Sequence, residues 1–290
     1  MSKIGIVTVL YKSEAVLEDF FLSIASQTHT DYILYIVDNS PSIESELLIK
    51  KYCEQHQITN KTRYLPSKGN IGVAAGNNVG IKAALKDNCD AVILSNNDIV
   101  FDNTNLFKSL IIEFEKGNEI IIPKIYYSES NRIWFIEGSI DIWRANVTHF
   151  HDRVEDRGQF VNIKTTEYSP TCFMLIGKKV FDEIGLMDEK YFVYFDDVDF
   201  IYRFNNKGFF ITVMENLRIE HKVSHSTGGG FSDFSFQQIL KNRKYFIEKH
   251  YTNFFIKHTS LSYLFLSQIF RAIQHKKTKI FFNTWFNNIK

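Results

Sequence analysis

Three glycines and three side-chain amides stand together in one stretch of this chain, NIGVAAGNNVG at residues 70–80. Glycine allows close backbone approach, and side-chain amides can hydrogen-bond a sugar or a phosphate. The residues concerned are Gly72, Gly76, Asn70, Asn77 and Asn78. The spacing is neither a P-loop nor the G-x-G-x-x-G fingerprint, and the alternative is a helix that begins after a loose glycine turn.

A single carboxylate interrupts an apolar run in a second stretch, ILSNNDIV at residues 93–100. It is Asp98, and it follows Asn97. Asn and Asp end strands as turn formers in any protein, so this explanation stays open for the stretch taken alone.

Three carboxylates, Asp196, Asp197 and Asp199, interrupt an aromatic run in DEKYFVYFDDVDFIYR, residues 188–203. Carboxylates this close together repel one another, so they need either a functional role or exposure to solvent. If a helix begins near Asp196, these acids lie in its first turn, where the helix dipole and free N–H groups stabilise anions. That is the structural alternative to a functional role.

Short apolar β-branched runs alternate with helical stretches over the first hundred residues. The strand-like runs are IGIVTVL, YILYIVD, TRYLP and DAVILS, and the helical stretches between them are EAVLEDFFLSIASQ, ESELLIKKYCEQH and AAGNNVGIKAAL. This order predicts an α/β fold with a mainly parallel sheet flanked by helices, whose ligand crevice lies outside the carboxyl ends of the strands. Polar residues follow three of these strands, at Val9–Glu14, Asp38–Ser40 and Ser95–Asp98, and we expect them to converge on one crevice.

The composition excludes several classes of protein. A length of 290 residues and 44% hydrophobic content suit a globular chain with a sizeable core. With 34 Lys and Arg against 33 Asp and Glu, bulk charge gives no reason to expect a nucleic-acid partner. Cys53, Cys89 and Cys172 form no C-x-x-C pair, which argues against a zinc site or a disulfide framework and suits a reducing cytoplasm. The first residues show no secretion signal, so we expect a cytoplasmic protein.

Several motifs occur in a familiar order: VTVLYKSE, IVDNS, GNIGVAAGNNVGI, LSNNDIVF, the segment from Cys172 to Arg203, and EHKVSHS. In these motifs the chain resembles the inverting nucleotide-sugar glycosyltransferases of family two, which have the GT-A fold. It is most similar to the rhamnosyltransferase-like branch that builds bacterial surface polysaccharides. The resemblance covers about Ile4 to Tyr251 and implies a GT-A glycosyltransferase domain at residues 1–251.

The resemblance implies a donor site and a metal. Asn96, Asn97 and Asp98 stand where the family has its metal-binding D-x-D, so Asp98 would hold Mg²⁺ or Mn²⁺ against the donor diphosphate. One carboxylate can suffice, because these ions keep several waters and bind substrate phosphates. The implied donor-binding residues are Thr8, Tyr11, Glu14, Asp38, Asn70, Gly72, Gly76, Asn77, Asn78, Asn97 and Asp98.

Within that set, Asp38 and the loop near Tyr11 and Glu14 would hold the base and ribose. His221 is a candidate second metal ligand, and His225 could touch the metal or the diphosphate. Two histidines four residues apart are also ordinary in surface or core packing.

The acid cluster matches the family's Glu-Asp pair, with Asp196 in place of the usual Glu and Asp197 at the general base. Inverting transfer needs one base to take the proton from the acceptor hydroxyl as it attacks the anomeric carbon opposite the nucleoside diphosphate. The metal neutralises charge on the departing diphosphate, so Asp98 and Asp197 should lie at opposite ends of the reacting line. Asp196 would bind the acceptor, with a side chain one methylene shorter than Glu.

Two other functions remain as alternatives. A sugar-phosphate nucleotidyltransferase also uses an α/β sheet and Mg²⁺, but the chain shows no early glycine-rich, Arg/Lys-bearing loop for a triphosphate. A non-catalytic sugar-binding module is the other. A glycoside hydrolase would need paired acids flanking a sugar–sugar bond and no diphosphate-binding amide loop.

Residues 131–160 are expected to form irregular strands and an acceptor-side loop, where Trp134 either packs or supports a sugar.

Residues 252–290 differ in character from the rest. They contain no Asp or Glu, and Lys or Arg residues punctuate aromatic and aliphatic runs. The longest uncharged stretch of this segment is too short and too polar to span a bilayer. A basic amphipathic helix can instead lie on an anionic leaflet. That would suit a lipid-linked glycan acceptor at the inner membrane face. The alternative is a helix packed on the catalytic domain or on a dimer partner.

Overall fold

The computed structural model describes residues 1–222 and 232–286 of the chain. The strands are β1 (Ile4–Leu10), β2 (Tyr32–Asp38), β3 (Thr62–Pro66), β4 (Ala91–Ser95), β5 (Ile99–Val100), β6 (Ile120–Tyr127), β7 (Ile133–Phe135), β8 (Glu137–Asp141), β9 (Asn146–Phe150), β10 (Thr165–Thr166), β11 (Phe173–Gly177) and β12 (Ile211–His221). The helices are α1 (Leu17–Ala25), α2 (Ile43–Gln55), α3 (Val73–Lys86), α4 (Leu106–Phe114), α5 (Lys178–Ile184), α6 (Asp196–Asn205), α7 (Asp233–His250), α8 (Phe254–Gln274) and α9 (Thr278–Phe286). Two 3₁₀ turns lie at Glu14–Val16 and Thr59–Lys61.

The predicted alternation over the first hundred residues is confirmed, and so is the α/β class. The central sheet has the order β10-β12-β6-β11-β4-β1-β2-β3. Strands β3, β2, β1 and β4 run parallel to one another, as does the pair β6 and β12. Strand β11 enters antiparallel between β4 and β6, and thereby joins the two parallel parts into one sheet.

The core strands are apolar on both faces because helices cover both sides of the sheet. Every residue of β4 and β11 is buried, and β1 and β2 are buried at all but one position each. Helix α3 lies close against β1, since a Cβ atom at Gly76 would approach the side chain of Val9 to 2.9 Å. Glycine is therefore required at Gly76 for packing.

Residues 131–160, expected to form irregular strands and a loop, contain three short regular strands between Ile133 and Phe150, followed by turns. Strand β7 pairs with β6, and β8 and β9 form a separate two-stranded antiparallel sheet. This small sheet packs against the main sheet through His149 of β9, whose ring lies 5.0 Å from that of Phe135 in β7.

Three helices end the described chain. Helix α7 ends at His250 and α8 begins at Phe254, and α8 and α9 pack against α7 and against each other. The rings of Phe265, Phe281 and Trp285 hold this cluster together, with centroids 5.1 Å apart for Phe265 and Phe281. Among the residues described, no helix combines the length and apolar character needed to cross a membrane. The proposed division of the chain at residue 251 stays a prediction.

Candidate active site

A cavity of about 530 Å³ opens where β1, β2 and β4 end. Its volume lies in the range usual for small-ligand sites. The three polar strand ends do converge here, together with the loop before α3 and one residue of α7. The lining residues are Val9, Tyr11, Ser13, Asn39, Asn70, Gly72, Val73, Asn77, Ser95, Asn96, Asn97, Asp98, Thr171, Phe192, Val193 and Phe234.

The loop before α3 is held in place by its own amides. Asn39 is buried and its Nδ2 donates to the carbonyl oxygen of Gly72 at 2.9 Å, while Asn70 Oδ1 accepts from the Gly72 N–H at 3.0 Å. Gly72 has φ of 88°, and a Cβ there would come within 2.5 Å of the Phe192 carbonyl oxygen. The Val73 N–H donates to that same oxygen at 2.7 Å. This wall of the cavity is therefore built before any ligand arrives.

Several predicted donor-binding residues line the cavity, and others do not. Those that line it are Tyr11, Asn70, Gly72, Asn77, Asn97 and Asp98. Thr8 is fully buried within β1, and Glu14 is half-buried in the 3₁₀ turn that follows the cavity edge. Their contact with a donor stays a prediction.

Asn78 and Gly76 serve packing in this structure. Both polar atoms of the buried Asn78 side chain are used: Nδ2 donates to the Met187 carbonyl oxygen at 2.8 Å, and Oδ1 accepts from the Met187 N–H at 3.0 Å. The amide thus anchors the segment that leads to the acid cluster. Neither residue lines the cavity, and their contact with a donor stays a prediction.

Asp38 is fully buried and holds the end of β2. Its carboxylate accepts from Ser45 Oγ at 2.5 Å, from the Tyr64 hydroxyl at 2.9 Å and from the Ser40 N–H at 2.9 Å. Its neighbour Asn39 lines the cavity instead. The alternation of side chains at a strand end could have indicated this, because adjacent residues point to opposite sides. The expected contact of Asp38 with the base and ribose stays a prediction without support from its position.

Asp98 and His221 are brought together by the pairing of β5 with β12. Ile99 is the register partner of His221, and the Lys222 N–H donates to the Asp98 carbonyl oxygen at 2.8 Å. As a result, Asp98 Oδ1 lies 3.2 Å from His221 Nε2, and both side chains are buried at the edge of the cavity. His225 lies outside the described residues.

This pair fits a divalent ion. Ligand atoms in adjacent positions around an octahedral ion with bonds of about 2.1 Å lie about 3 Å apart, which matches the spacing of the two side chains. Within residues 1–222 and 232–286, no group of three or more His, Cys, Asp or Glu side chains could hold a metal by itself. An ion here would therefore need oxygens from a substrate or water to complete its shell.

The acid cluster begins α6 after two residues with left-handed backbone. Tyr194 and Phe195 both have φ of 66°, which turns the chain so that Asp196 and Asp197 start the helix beside the cavity walls Phe192 and Val193. Asn242 of α7 stabilises this turn by donating from Nδ2 to the carbonyl oxygens of Val193 and Tyr194, at 2.8 and 2.7 Å. The sequence showed no signal for this support.

Asp197 is half-buried and is held on both oxygens. Oδ2 accepts from the Tyr168 hydroxyl at 2.5 Å, and Oδ1 accepts from the Val198 N–H at 2.8 Å. Burial raises the pKa of Asp197, while the Tyr168 hydrogen bond opposes that rise. Burial also raises the pKa of Asp196, and the charge of Asp197 raises it further. The two adjacent acids therefore differ: Asp197 has the hydrogen bonds that favour a carboxylate.

Asp199 has a structural role. It is fully buried and pairs with Arg203 at 2.8 Å, Lys249 at 2.5 Å and His250 at 2.7 Å. Although burial acts in the opposite direction, these partners hold the pKa of Asp199 far below its usual range. The network joins α6 to α7. Ion pairs with these three side chains account for the position of Asp199.

A row of rings connects the two candidate carboxylates. The ring of Trp134 lies edge-on to His221, with centroids 4.4 Å apart, and His149 lies 5.7 Å from Trp134 and 5.8 Å from Tyr168. Burial raises the pKa of Cys172, and the charges of Asp98 and then Asp197 raise it further. The rings thus link His221, which lies beside Asp98, to Tyr168, which donates to Asp197, and Trp134 and His149 pack between them.

The architecture defines the class of protein. The structure is similar to the mannosyltransferase PcManGT from Pyrobaculum calidifontis in complex with GDP-Man and Mn²⁺, with a TM-score of 0.61, 10% identity and coverage of 98% of this chain and 74% of that chain. It is also similar to GalNAc-T7 with UDP, GalNAc and Mn²⁺, with a TM-score of 0.64, 15% identity and coverage of 86% and 48%. At these identities the likeness shows the fold, which is that of the GT-A glycosyltransferases.

The sequence places the chain within that class. The profile of glycosyl transferase family 2 matches residues 5–185, more than half of the chain, and the protein belongs to this family. The low-salt glycan biosynthesis hexosyltransferase Agl10 from Haloferax volcanii is 27% identical over 211 residues, which is 70% of this chain. The match spans 62% of that relative's length. The predicted family and fold are confirmed, and the rhamnosyltransferase-like branch stays a prediction.

Proposed function

We propose that the protein is an inverting glycosyltransferase that moves a hexose or deoxyhexose from a nucleoside-diphosphate sugar to a growing glycan. One observation carries the proposal: the Asp98–His221 pair lies at the edge of a nucleotide-sized cavity, and a row of packed rings connects it to Asp197. Family membership and the hexosyltransferase relative support it.

Different residues of the site would bind the donor and the acceptor. Tyr11, Asn39, Asn70 and Gly72 would bind the nucleoside, and Asp98 with His221 would hold the divalent ion, Mg²⁺ or Mn²⁺, at the diphosphate. When bound, this ion supplies positive charge that stabilises the departing diphosphate. That both structural neighbours were solved with Mn²⁺ supports the metal.

Asp197 would act on the acceptor. Its carboxylate takes the proton of the attacking hydroxyl as that oxygen bonds to the anomeric carbon and the bond from that carbon to the diphosphate oxygen breaks. Displacement from the opposite face inverts the configuration without a covalent enzyme intermediate. Asp196, with its raised pKa, would stay protonated more readily and could donate a hydrogen bond to the acceptor.

The sugar, the product glycan and the location in the cell are further parts of the proposal. Rhamnose as the sugar, and a bacterial surface glycan such as O-antigen or capsule as the product, are proposed from the sequence resemblance alone. A cytoplasmic location at the inner membrane face would place the enzyme beside a lipid-linked acceptor.

The test is a panel of UDP-, GDP- and dTDP-sugars with Mg²⁺ or Mn²⁺, in which release of nucleoside diphosphate is followed with and without added glycan acceptors. We expect release with one donor base, dependence on acceptor and loss of release with a chelator. Release of pyrophosphate from a sugar phosphate and a nucleoside triphosphate would instead identify a nucleotidyltransferase. Sugar binding without release of either product would identify a binding module.

A further inference from the structure

An apolar stripe runs along the exposed side of α8. Phe255, Leu266, Phe270 and Ile273 have 77%, 65%, 62% and 61% of their surface exposed. At 3.6 residues per turn, Phe255, Leu266 and Ile273 fall within about 20° of one line along the helix, and Phe270 lies within about 60° of it. The stripe is about 27 Å long, and the exposed Thr259 and Ser262 lie on the same side of the helix between Phe255 and Leu266. Exposure of this kind along a whole helix marks an interaction surface.

The opposite side of α8 already has its packing partners. Ser260, Leu264, Gln268 and Ala272 recur every four residues and are all buried. They face the cluster formed with α7 and α9. Because this side of the helix satisfies its contacts within the described chain, the stripe faces away from the protein core.

Charge is distributed unequally between this segment and the rest. Six of the 34 Lys and Arg residues and none of the 33 Asp and Glu lie in residues 252–290, so this segment has a formal charge of +6 and the remainder of −5. Lys276 and Lys279 are exposed just beyond the end of the stripe, as are Phe282 and Phe286 of α9. An apolar surface in a segment whose charged residues are all basic complements an anionic surface.

We propose that the exposed face of α8 and α9 is a docking surface for an anionic lipid bilayer. The aromatic and aliphatic side chains of the stripe enter the boundary between headgroups and acyl chains, and the lysines contact lipid phosphates. The helices lie on the membrane. A symmetric pair of protein copies fits less well, because it would place two segments of charge +6 against each other. The docking does not depend on which sugar the active site transfers.

The experiment is co-sedimentation of the full chain with vesicles of phosphatidylcholine, alone or mixed with phosphatidylglycerol. We expect binding to the mixed vesicles that weakens as salt increases, and much weaker binding to phosphatidylcholine alone. Phe270→Ser should weaken the binding about tenfold, because a large apolar side chain no longer enters the bilayer. Lys276→Gln combined with Lys279→Gln should also weaken it by at least tenfold on mixed vesicles only.

Phe210→Ser is the matched control, since Phe210 has the same exposure of 62% and lies outside the segment. It should bind vesicles as the parent does. Melting curves and nucleoside-diphosphate affinity, measured without vesicles, should be equal for Phe270→Ser and Phe210→Ser. If Phe270→Ser melts lower, Leu266→Ser replaces it, with the same expected loss.

Three results would overturn the proposal. One is equal binding of the parent protein to both vesicle types, and another is an equal effect of Phe270→Ser and Phe210→Ser. The third is a dimer in solution that Phe270→Ser dissociates, which would assign the stripe to a second copy of the chain. If the parent protein transfers sugar but does not bind the mixed vesicles, this proposal fails and the proposed function stands. If it binds the mixed vesicles but transfers no sugar, the proposed function fails and this proposal stands.

Discussion

Asp197→Asn should abolish most of the sugar transfer and leave the fold intact. The amide oxygen of Asn can still accept from the Val198 N–H, and its NH₂ group can donate to the Tyr168 hydroxyl, which both donates and accepts. The substitution also removes the charge that raises the pKa of Asp196. We therefore expect the free energy of unfolding to change by less than about 1 kcal/mol.

The size of the catalytic effect follows from what is removed. General-base catalysis contributes a factor of about 10² to 10⁴, so kcat should fall by that factor, equivalent to about 3 to 5 kcal/mol in the activation barrier. Asp197 does not line the nucleotide cavity, so the Kd for nucleoside diphosphate and metal should stay within about twofold. The assay is the initial rate of nucleoside-diphosphate release with acceptor, together with a binding titration.

Asp199→Asn is the matched contrast, two residues away on the same helix. It removes a buried charge that pairs with Arg203, Lys249 and His250, and should cost about 3 kcal/mol of stability, seen as a lower Tm. Below that Tm its kcat should stay close to the parent's. The reasoning fails if Asp197→Asn transfers sugar at nearly the parental rate, or if Asp199→Asn loses more kcat while folded. A lower Tm for Asp197→Asn would favour a helix-capping role for this acid.

Three further substitutions test other parts of the site. Asp98→Ala should abolish metal-dependent donor binding and transfer with little change in Tm; transfer that a chelator does not affect, in the parent, would contradict the metal assignment. Tyr168→Phe removes the hydrogen bond that opposes the raised pKa of Asp197, so the acidic limb of the kcat/KM profile should move to higher pH, with the alkaline plateau kept; an unmoved limb would separate Tyr168 from the base. Gly72→Ala places a Cβ against the Phe192 carbonyl oxygen at positive φ, so donor affinity should fall about tenfold and Tm should drop; parental affinity would show that this wall need not be rigid.

The alternation of apolar runs and helical stretches was enough to predict the first half of the sheet and its crevice. The reason is that a strand buried on both faces needs a continuous apolar run, and a parallel neighbour needs a helix to return the chain. The polar residues at the strand ends could then be located at one edge. For the same reason Asp98 and Asn97 were found as cavity residues from the sequence.

Only the tertiary structure decided what each polar side chain contacts. Asp38 and Asn39 are adjacent in sequence, yet the Asp38 carboxylate accepts hydrogen bonds from Ser45 and Tyr64, while Asn39 lines the cavity. Asp197 and Asp199 read as one acid cluster, but their partners, Tyr168 on one side and Lys249 on the other, come from distant segments. Long-range partners set the burial and charge of a group, and spacing along the chain does not contain them. The exposed stripe of α8 could not be located from the sequence for the same reason. Helical periodicity separates two faces of the helix, but only the packing against α7 and α9 shows which face the protein covers.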